Sequence, residues 1–330
     1  MKKIYGLLSL LAVLVLCGSC NDEWKDEQFE RYVSFKAPID SKIGVTHIYV
    51  RYNPDDKTSY KLPLIVSGST TNDKDMTVHV AVDSDTLRVL NYERFQTRED
   101  YYYKELESKY FSIPETVNIK AGENTSLMNI NFTLKDIDLV DKWVLPLTIL
   151  DNPSYDYVAN PRKHYKKALL RVIPFNNYSG SYSGTALRIQ MEGREGETPI
   201  VKSTITAYVV DENTIFFYAG NIDEDRKDRA NYKVYARFND AGGVTLSADA
   251  GNTDMNFSVN KDASYVLREE MDAVRPYLLH RYVTINNISY QFTDYTMIPG
   301  FEVKYKVEGS LILERKINTQ IPDEDQAIEW

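Results

Sequence analysis

The sequence predicts an all-β protein, and three observations carry that prediction. Apolar residues alternate with polar ones at a period of two through most of the chain, the signature of half-buried strands. Turn-forming clusters punctuate these runs at short intervals. Helical periodicity is scarce. Many short strands with frequent turns build a sandwich or a barrel, not a parallel α/β sheet.

The alternation is read in chain order. In Thr77–Val82 three valines share one face. Met128, Ile130, Phe132 and Leu134 share another, opposite Asn129, Asn131 and Thr133. Trp143, Leu145, Leu147 and Ile149 repeat the pattern, which places Trp143 in a core. Further strands are expected at Tyr232–Phe238, Met255–Val259, Ile288–Phe292 and Phe301–Val307. Gly122, Asp151-Asn152-Pro153, Asp211–Asn213, Asp240–Gly243 and Pro299-Gly300 mark turns. The one helix expected lies within Asp262–Leu279, stopped or kinked by Pro276. A boundary between two β units is expected near Ile173–Asn177. A short doublet, Tyr178–Gly184, is too small to imply a repeat architecture.

The start of the chain reads as an export leader. Lys2 and Lys3 precede an apolar run from Leu7 to Leu16, then Cys17-Gly18-Ser19-Cys20. The run is shorter than the roughly 20 residues needed to span a bilayer. Small residues before Cys20 suit cleavage there, and the segment resembles a bacterial lipobox, in a relaxed form because Cys17 stands where Leu is usual. The expected division is a signal peptide over 1–19, a lipidated acidic tether over 20–30 beginning at Cys20, a sandwich domain over 31–174 and a second β-rich domain over 175–330. With Cys17 removed, Cys20 is the sole cysteine left. Disulfides within the chain, thiol catalysis and cysteine metal sites are then excluded. The acidic run Asn21–Glu27 is similar to the signal that takes Bacteroidetes lipoproteins to the outer face of the outer membrane; a solvated tether reads the same way.

The formal charge is −9, and loss of Lys2 and Lys3 makes the remainder more negative by two. That argues against nucleic acid, which needs a basic face, and against a strongly anionic substrate. Tyr is abundant, 25 residues against 12 Phe, and suits strands, interfaces and sugar faces alike. His47, His79, His164 and His280 form no ligand pair of metalloprotease spacing, and His79 is expected at a solvated or edge position. Asp223-x-Asp225 starts like a calcium loop, but Lys227 stands at a ligand position and the turn glycine is missing. No nucleophile elbow or phosphate loop occurs, and no cofactor is called for.

Several segments are similar to a known family. Leu64–Thr70, Val78–Asp83, Leu90–Tyr92, Tyr110–Pro114, Val117–Glu123 and Trp143–Ile149 resemble the N-terminal domain of unknown function of Bacteroidetes surface lipoproteins from polysaccharide-utilisation loci. Residues 178–330, closing on Arg315–Trp330, resemble its frequent β-rich companion. The resemblance implies an immunoglobulin-like β-sandwich followed by an antiparallel β-barrel or β-sandwich. It also implies a setting: glycan capture at the outer membrane beside a transporter and glycoside hydrolases. It carries no catalytic residues.

Sugar binding needs flat apolar faces beside hydrogen-bonding side chains. Two segments have both. Tyr92–Tyr103, read as a long connection, offers Tyr92, Arg98, Asp100, Tyr101, Tyr102 and Tyr103; Arg275–Tyr282 offers Tyr277 and Tyr282. Core packing competes for every one of these rings. Trp330 is read equally as a docking indole and as a strand-packing ring. The expected function is non-catalytic glycan binding at the cell surface. The alternatives are a glycan hydrolase whose carboxylate pair is unrecognised and a protein-binding structural subunit of the envelope.

Overall fold

The structure, a computed structural model, describes residues 26–40, 42–54 and 57–330; Cys20 and the expected leader lie outside them. Ten strands form the N-terminal unit: β1 (Val33–Phe35), β2 (Thr46–Arg51), β3 (Thr58–Val66), β4 (Met76–Val82), β5 (Lys104–Glu105), β6 (Phe111–Ser112), β7 (Thr116–Ile119), β8 (Thr125–Phe132), β9 (Trp143–Ile149) and β10 (Lys167–Phe175). One sheet has the order β1-β3-β8-β6. The other has the order β2-β10-β9-β4-β7, with β5 beside β9. β2 and β10 run parallel, with Arg171 opposite His47. The sheets face each other across Phe35, Leu62, Leu64, Ile130 and Phe132 on one side and Ile48, Val78, Leu145, Leu147 and Leu170 on the other, all buried. This is the expected sandwich.

Strand β9 is buried on both faces because the outer side of its sheet is also covered. Val144 and Leu169 pack with Val45, Leu87 and Tyr103 in a second, smaller cluster. The cover is helix α1 (Ser84–Phe95), where the sequence predicted only a connection. Asp83 caps it, accepting from the Thr86 backbone N–H and hydroxyl, and Lys167 pairs with the same carboxylate at 2.6 Å. Asp83 before a Leu87, Leu90, Asn91 spacing was the available signal. Replacing Asp83 by Ala removes cap and ion pair together. It is expected to cost about 1–2 kcal/mol, read as a lower urea midpoint; an unchanged midpoint would show that α1 needs no cap.

The C-terminal unit begins after the second helix, α2 (Lys163–Lys166), and strand β10. Its strands are β11 (Gly180–Ser183), β12 (Arg188–Met191), β13 (Thr204–Val209), β14 (Thr214–Tyr218), β15 (Lys233–Phe238), β16 (Gly243–Ala248), β17 (Ser258–Val259), β18 (Ala263–Met271), β19 (Leu278–Ile298), β20 (Phe301–Asn318) and β21 (Ile328–Glu329). The order β11-β13-β14-β15-β16-β18-β19-β20 closes on itself, because β20 pairs both β19 and β11. Closure removes the exposed edges of an open sheet. A barrel of about eight strands is narrow enough for side chains to fill, and Tyr182, Phe217, Tyr290 and Phe292 do so here, each fully buried.

Two sequence expectations fail in this unit. The region expected to hold a helix, Asp262–Leu279, is strand β18, a turn and the start of β19. Its helix-forming run Val266–Met271 is held extended by pairing with Leu279–Thr284, since tertiary pairing outweighs propensity. The alternation in Met255–Val259 is not one strand either. Met255 ends a 3₁₀ turn, Asn256 turns left-handed at φ 44°, and only Ser258–Val259 pairs.

Candidate functional site

The units meet through a stitched junction. Phe175, Ile317, Ala327 and Ile328 bury together with Tyr49 and Leu279 against them. The Asn176 side chain donates to the carbonyls of Asp211 and Thr214 and accepts from the N–H groups of Tyr178 and Ser179. Arg315 of β20 donates to the carbonyls of Asn176 and Ser179.

Beside this junction lies a cleft of about 400 Å³ between the outer face of β2 and β10 and the wall of the barrel. Period two explains the sandwich side: Ile48, Val50 and Val172 point into the core, so His47, Tyr49, Arg171 and Ile173 point out. Tyr49 stacks face to face on Trp330, with ring centroids 3.9 Å apart and planes 1° from parallel. Phe175 meets the indole edge-on at 4.7 Å. Trp330 stays 49% exposed. The barrel contributes Tyr208, whose hydroxyl bonds Glu224, and Arg315, whose guanidinium stands 5.4 Å from the Trp330 ring. Arg171 contacts His47 Nε2 at 3.4 Å. Burial, reinforced by Arg171, lowers the His47 pKa and so favours the neutral ring. Clefts at domain boundaries, lined by rings with a few placed polar groups, are preferred ligand sites.

A second depression, about 570 Å³, lies on the barrel at β12, β19 and β20. Its walls carry Arg188, Glu192, Glu302, Lys304 and Lys306, and its rings Phe292 and Tyr305 are buried. It offers charge but no open aromatic face. Among the described residues, no group of three or more His, Cys, Asp or Glu is disposed to hold a metal.

The residues singled out from sequence are placed as follows. Tyr92 lies near the end of α1, 66% exposed. Arg98 stands 5.2 Å from the Tyr101 ring. Tyr101 and Tyr102 are half-buried around Phe95, and the Tyr102 hydroxyl donates to the Gln96 carbonyl. Tyr103 is a correction. It is 5% exposed, its backbone is clamped by Asn91, and it fills the cluster beneath α1, so it presents no face to a ligand. The stretch is a 3₁₀ turn at Glu99–Tyr101, not an extended connection. Asp100 pairs with Lys227 of the barrel loop that also carries Glu224, so this group borders the cleft without lining it. Tyr282 is held between the Arg268 guanidinium, at 4.6 Å, and Glu314. Tyr277 is half-buried where Thr319 bonds its carbonyl. His79 is half-buried and stacks on Tyr155 at 4.1 Å, not at a solvated edge.

Tyr49, Arg171 and Tyr208 went unnoticed in the sequence because each sits in an ordinary strand pattern. Only the docking of barrel on sandwich makes their outward faces into one wall.

Comparison with known proteins fits this architecture. The domain of unknown function DUF4973 matches residues 24–153, and a family described as "-like, C-terminal" matches residues 166–312. A Bacteroides ovatus structure of unknown function is 48% identical, with a TM-score of 0.82, over 91% of this chain and 100% of that one. A multidomain Bacteroides ovatus protein including DUF1735 is 47% identical, with a TM-score of 0.82 and the same coverage. An auxiliary nutrient binding protein from Bacteroides thetaiotaomicron is 46% identical, with a TM-score of 0.81, over 92% of this chain and 100% of that one. No curated protein matches the chain. With identity near one half along the full length of these relatives, the chain belongs to their family of two-domain, all-β Bacteroides proteins and carries DUF4973 as its N-terminal part.

Proposed function

We propose that the protein is a non-catalytic glycan-binding lipoprotein of the outer membrane, anchored at Cys20, that holds its ligand in the cleft between sandwich and barrel. The observation that carries this reading is the aromatic slab of Tyr49 and Trp330, set beside Arg171, Glu224 and Tyr208. Rings take the C–H faces of a pyranose, and charged or hydroxyl side chains take its hydroxyls. The nutrient-binding relative, 46% identical along its whole length, supports a binding role. The leader and the likeness to polysaccharide-utilisation lipoproteins support the setting, beside an outer-membrane transporter and glycoside hydrolases.

A glycan array followed by calorimetry tests this. Tyr49→Ala and Trp330→Ala are each expected to weaken the selected glycan by about 1–2 kcal/mol, roughly five- to thirty-fold, with the circular dichroism unchanged. Full affinity in both variants would remove the cleft from the site. Shorter sugars accumulating in the cell would overturn the non-catalytic reading.

A further inference from the structure

The cleft's arginines lack salt-bridge partners. Arg171 has one side-chain partner, the neutral ring of His47. Arg315 is 5% exposed, yet its two hydrogen bonds, both from Nη2, go to backbone carbonyls. Among the described residues, neither has a carboxylate within salt-bridge distance. Elsewhere at the junction Arg51 pairs with Asp325, and Arg281 with Glu269 and Glu324, while Arg229, like Arg315, donates to backbone carbonyls, those of Arg226 and Val140. Three carboxylates also line the cleft, and none is ion-paired with either arginine. Glu224 takes the Tyr208 hydroxyl, Glu314 takes His280 and Tyr282, and Glu329 is exposed on the edge strand β21.

A charge taken out of water without an opposite charge is costly. Burial, with repulsion from Arg51, pushes the Arg315 guanidinium down to about 10. Burial lowers Lys142 as well, opposed by attraction to Glu224 and reinforced by repulsion from Arg171 and Arg229. Two guanidinium groups without ion-pair partners thus line one cleft of a chain whose net charge is −9. That balance spoke against an anionic ligand, but net charge is a whole-molecule sum, while a bound group feels its nearest neighbours in a partly dry site.

We propose that the ligand of this cleft bears an anionic group, a carboxylate or a sulfate ester on a sugar, received by Arg171 with Arg315 behind it. This rests on the reading of the cleft as a glycan site. Guanidinium groups match the planar two-oxygen edge of such anions through paired charge-assisted hydrogen bonds. The Tyr49–Trp330 slab then takes the ring that carries the anion.

The test uses the full chain and matched glycan pairs. Oligogalacturonate is compared with its methyl ester, and chondroitin sulfate with its desulfated form, so that the two anions are told apart. The anionic member of one pair is expected to bind at least tenfold more tightly, with affinity falling as NaCl rises. Arg171→Gln is expected to erase that difference, and Arg171→Lys to restore part of it, which separates charge from folding. If neutral glycans bind as tightly as the anionic ones and Tyr49→Ala abolishes that binding, the cleft reading stands and the anionic inference falls. If a difference persists in Arg171→Gln, the anion is held elsewhere and the inference falls. If no glycan of either kind binds, both fall.

Discussion

Replacing Asp294 by alanine is expected to destabilise the barrel by about 3–5 kcal/mol, the usual cost of leaving one partner of a buried ion pair behind. Asp294 lies on β19 and is fully buried. Arg226 grips both of its oxygens, and the Tyr232 hydroxyl and the backbone N–H groups of Thr296 and Met297 donate to Oδ1. Arg226 also bonds Asp228, so one guanidinium ties the loop after β14 to β19. Burial alone raises the Asp294 carboxyl; Arg226 and Tyr232 outweigh it and hold the carboxyl below its ordinary value. The pH dependence follows from that direction. A depressed carboxyl contributes stability that is complete above its unfolded value near ~4 and is lost as pH falls through the folded value. The gap between wild type and Asp294→Ala should therefore be widest at neutral pH and shrink in acid below about pH 4. Urea unfolding followed by circular dichroism at several pH values measures it. A gap that grows in acid would contradict the assignment.

Gly309→Ala is expected to cost about 3 kcal/mol or more, a fall in the barrel's melting temperature of roughly 6–12 °C. Gly309 pairs with Ile288 where the β19–β20 register shifts, and its φ is +141°. A Cβ there would stand 2.0 Å from the Ala186 carbonyl oxygen and 3.0 Å from Leu187 Cα, both backbone atoms. Ala186 belongs to the crossing between β11 and β12, both of which pair with β20. The chain can follow β20 through that crossing only if nothing projects from position 309. Gly300→Ala is the control. Its φ is +75°, but no atom lies within 4 Å of the added Cβ, so only the backbone penalty of about 1 kcal/mol applies. Equal losses in the two variants, measured by thermal unfolding, would show that strain rather than the clash decides.

The amino-acid sequence by itself determined the two-part, all-β class and several of its strands. The alternation in Met128–Phe132, Trp143–Ile149 and Phe301–Val307 is a local property, because successive strand residues point to opposite faces whatever the strand pairs with. It placed Trp143 in the core, where it is 8% exposed. Tertiary structure decided three other things. It turned Val266–Met271 into a strand, because an extended β19 offers that run a full ladder of partners. It gave β9 a second buried face by laying α1 across it, which a pattern of single-faced burial does not anticipate. And it made the cleft. Tyr49 and Trp330 lie far apart in sequence, as do His47 and Arg171; each is an ordinary outward-facing residue until strand pairing and domain docking bring them together. Tyr103 shows the same physics from the other side. Its ring chemistry was legible, but its burial beneath α1 depended on contacts with Val45, Val144 and Leu169, and such long-range packing is decided only when the whole chain folds.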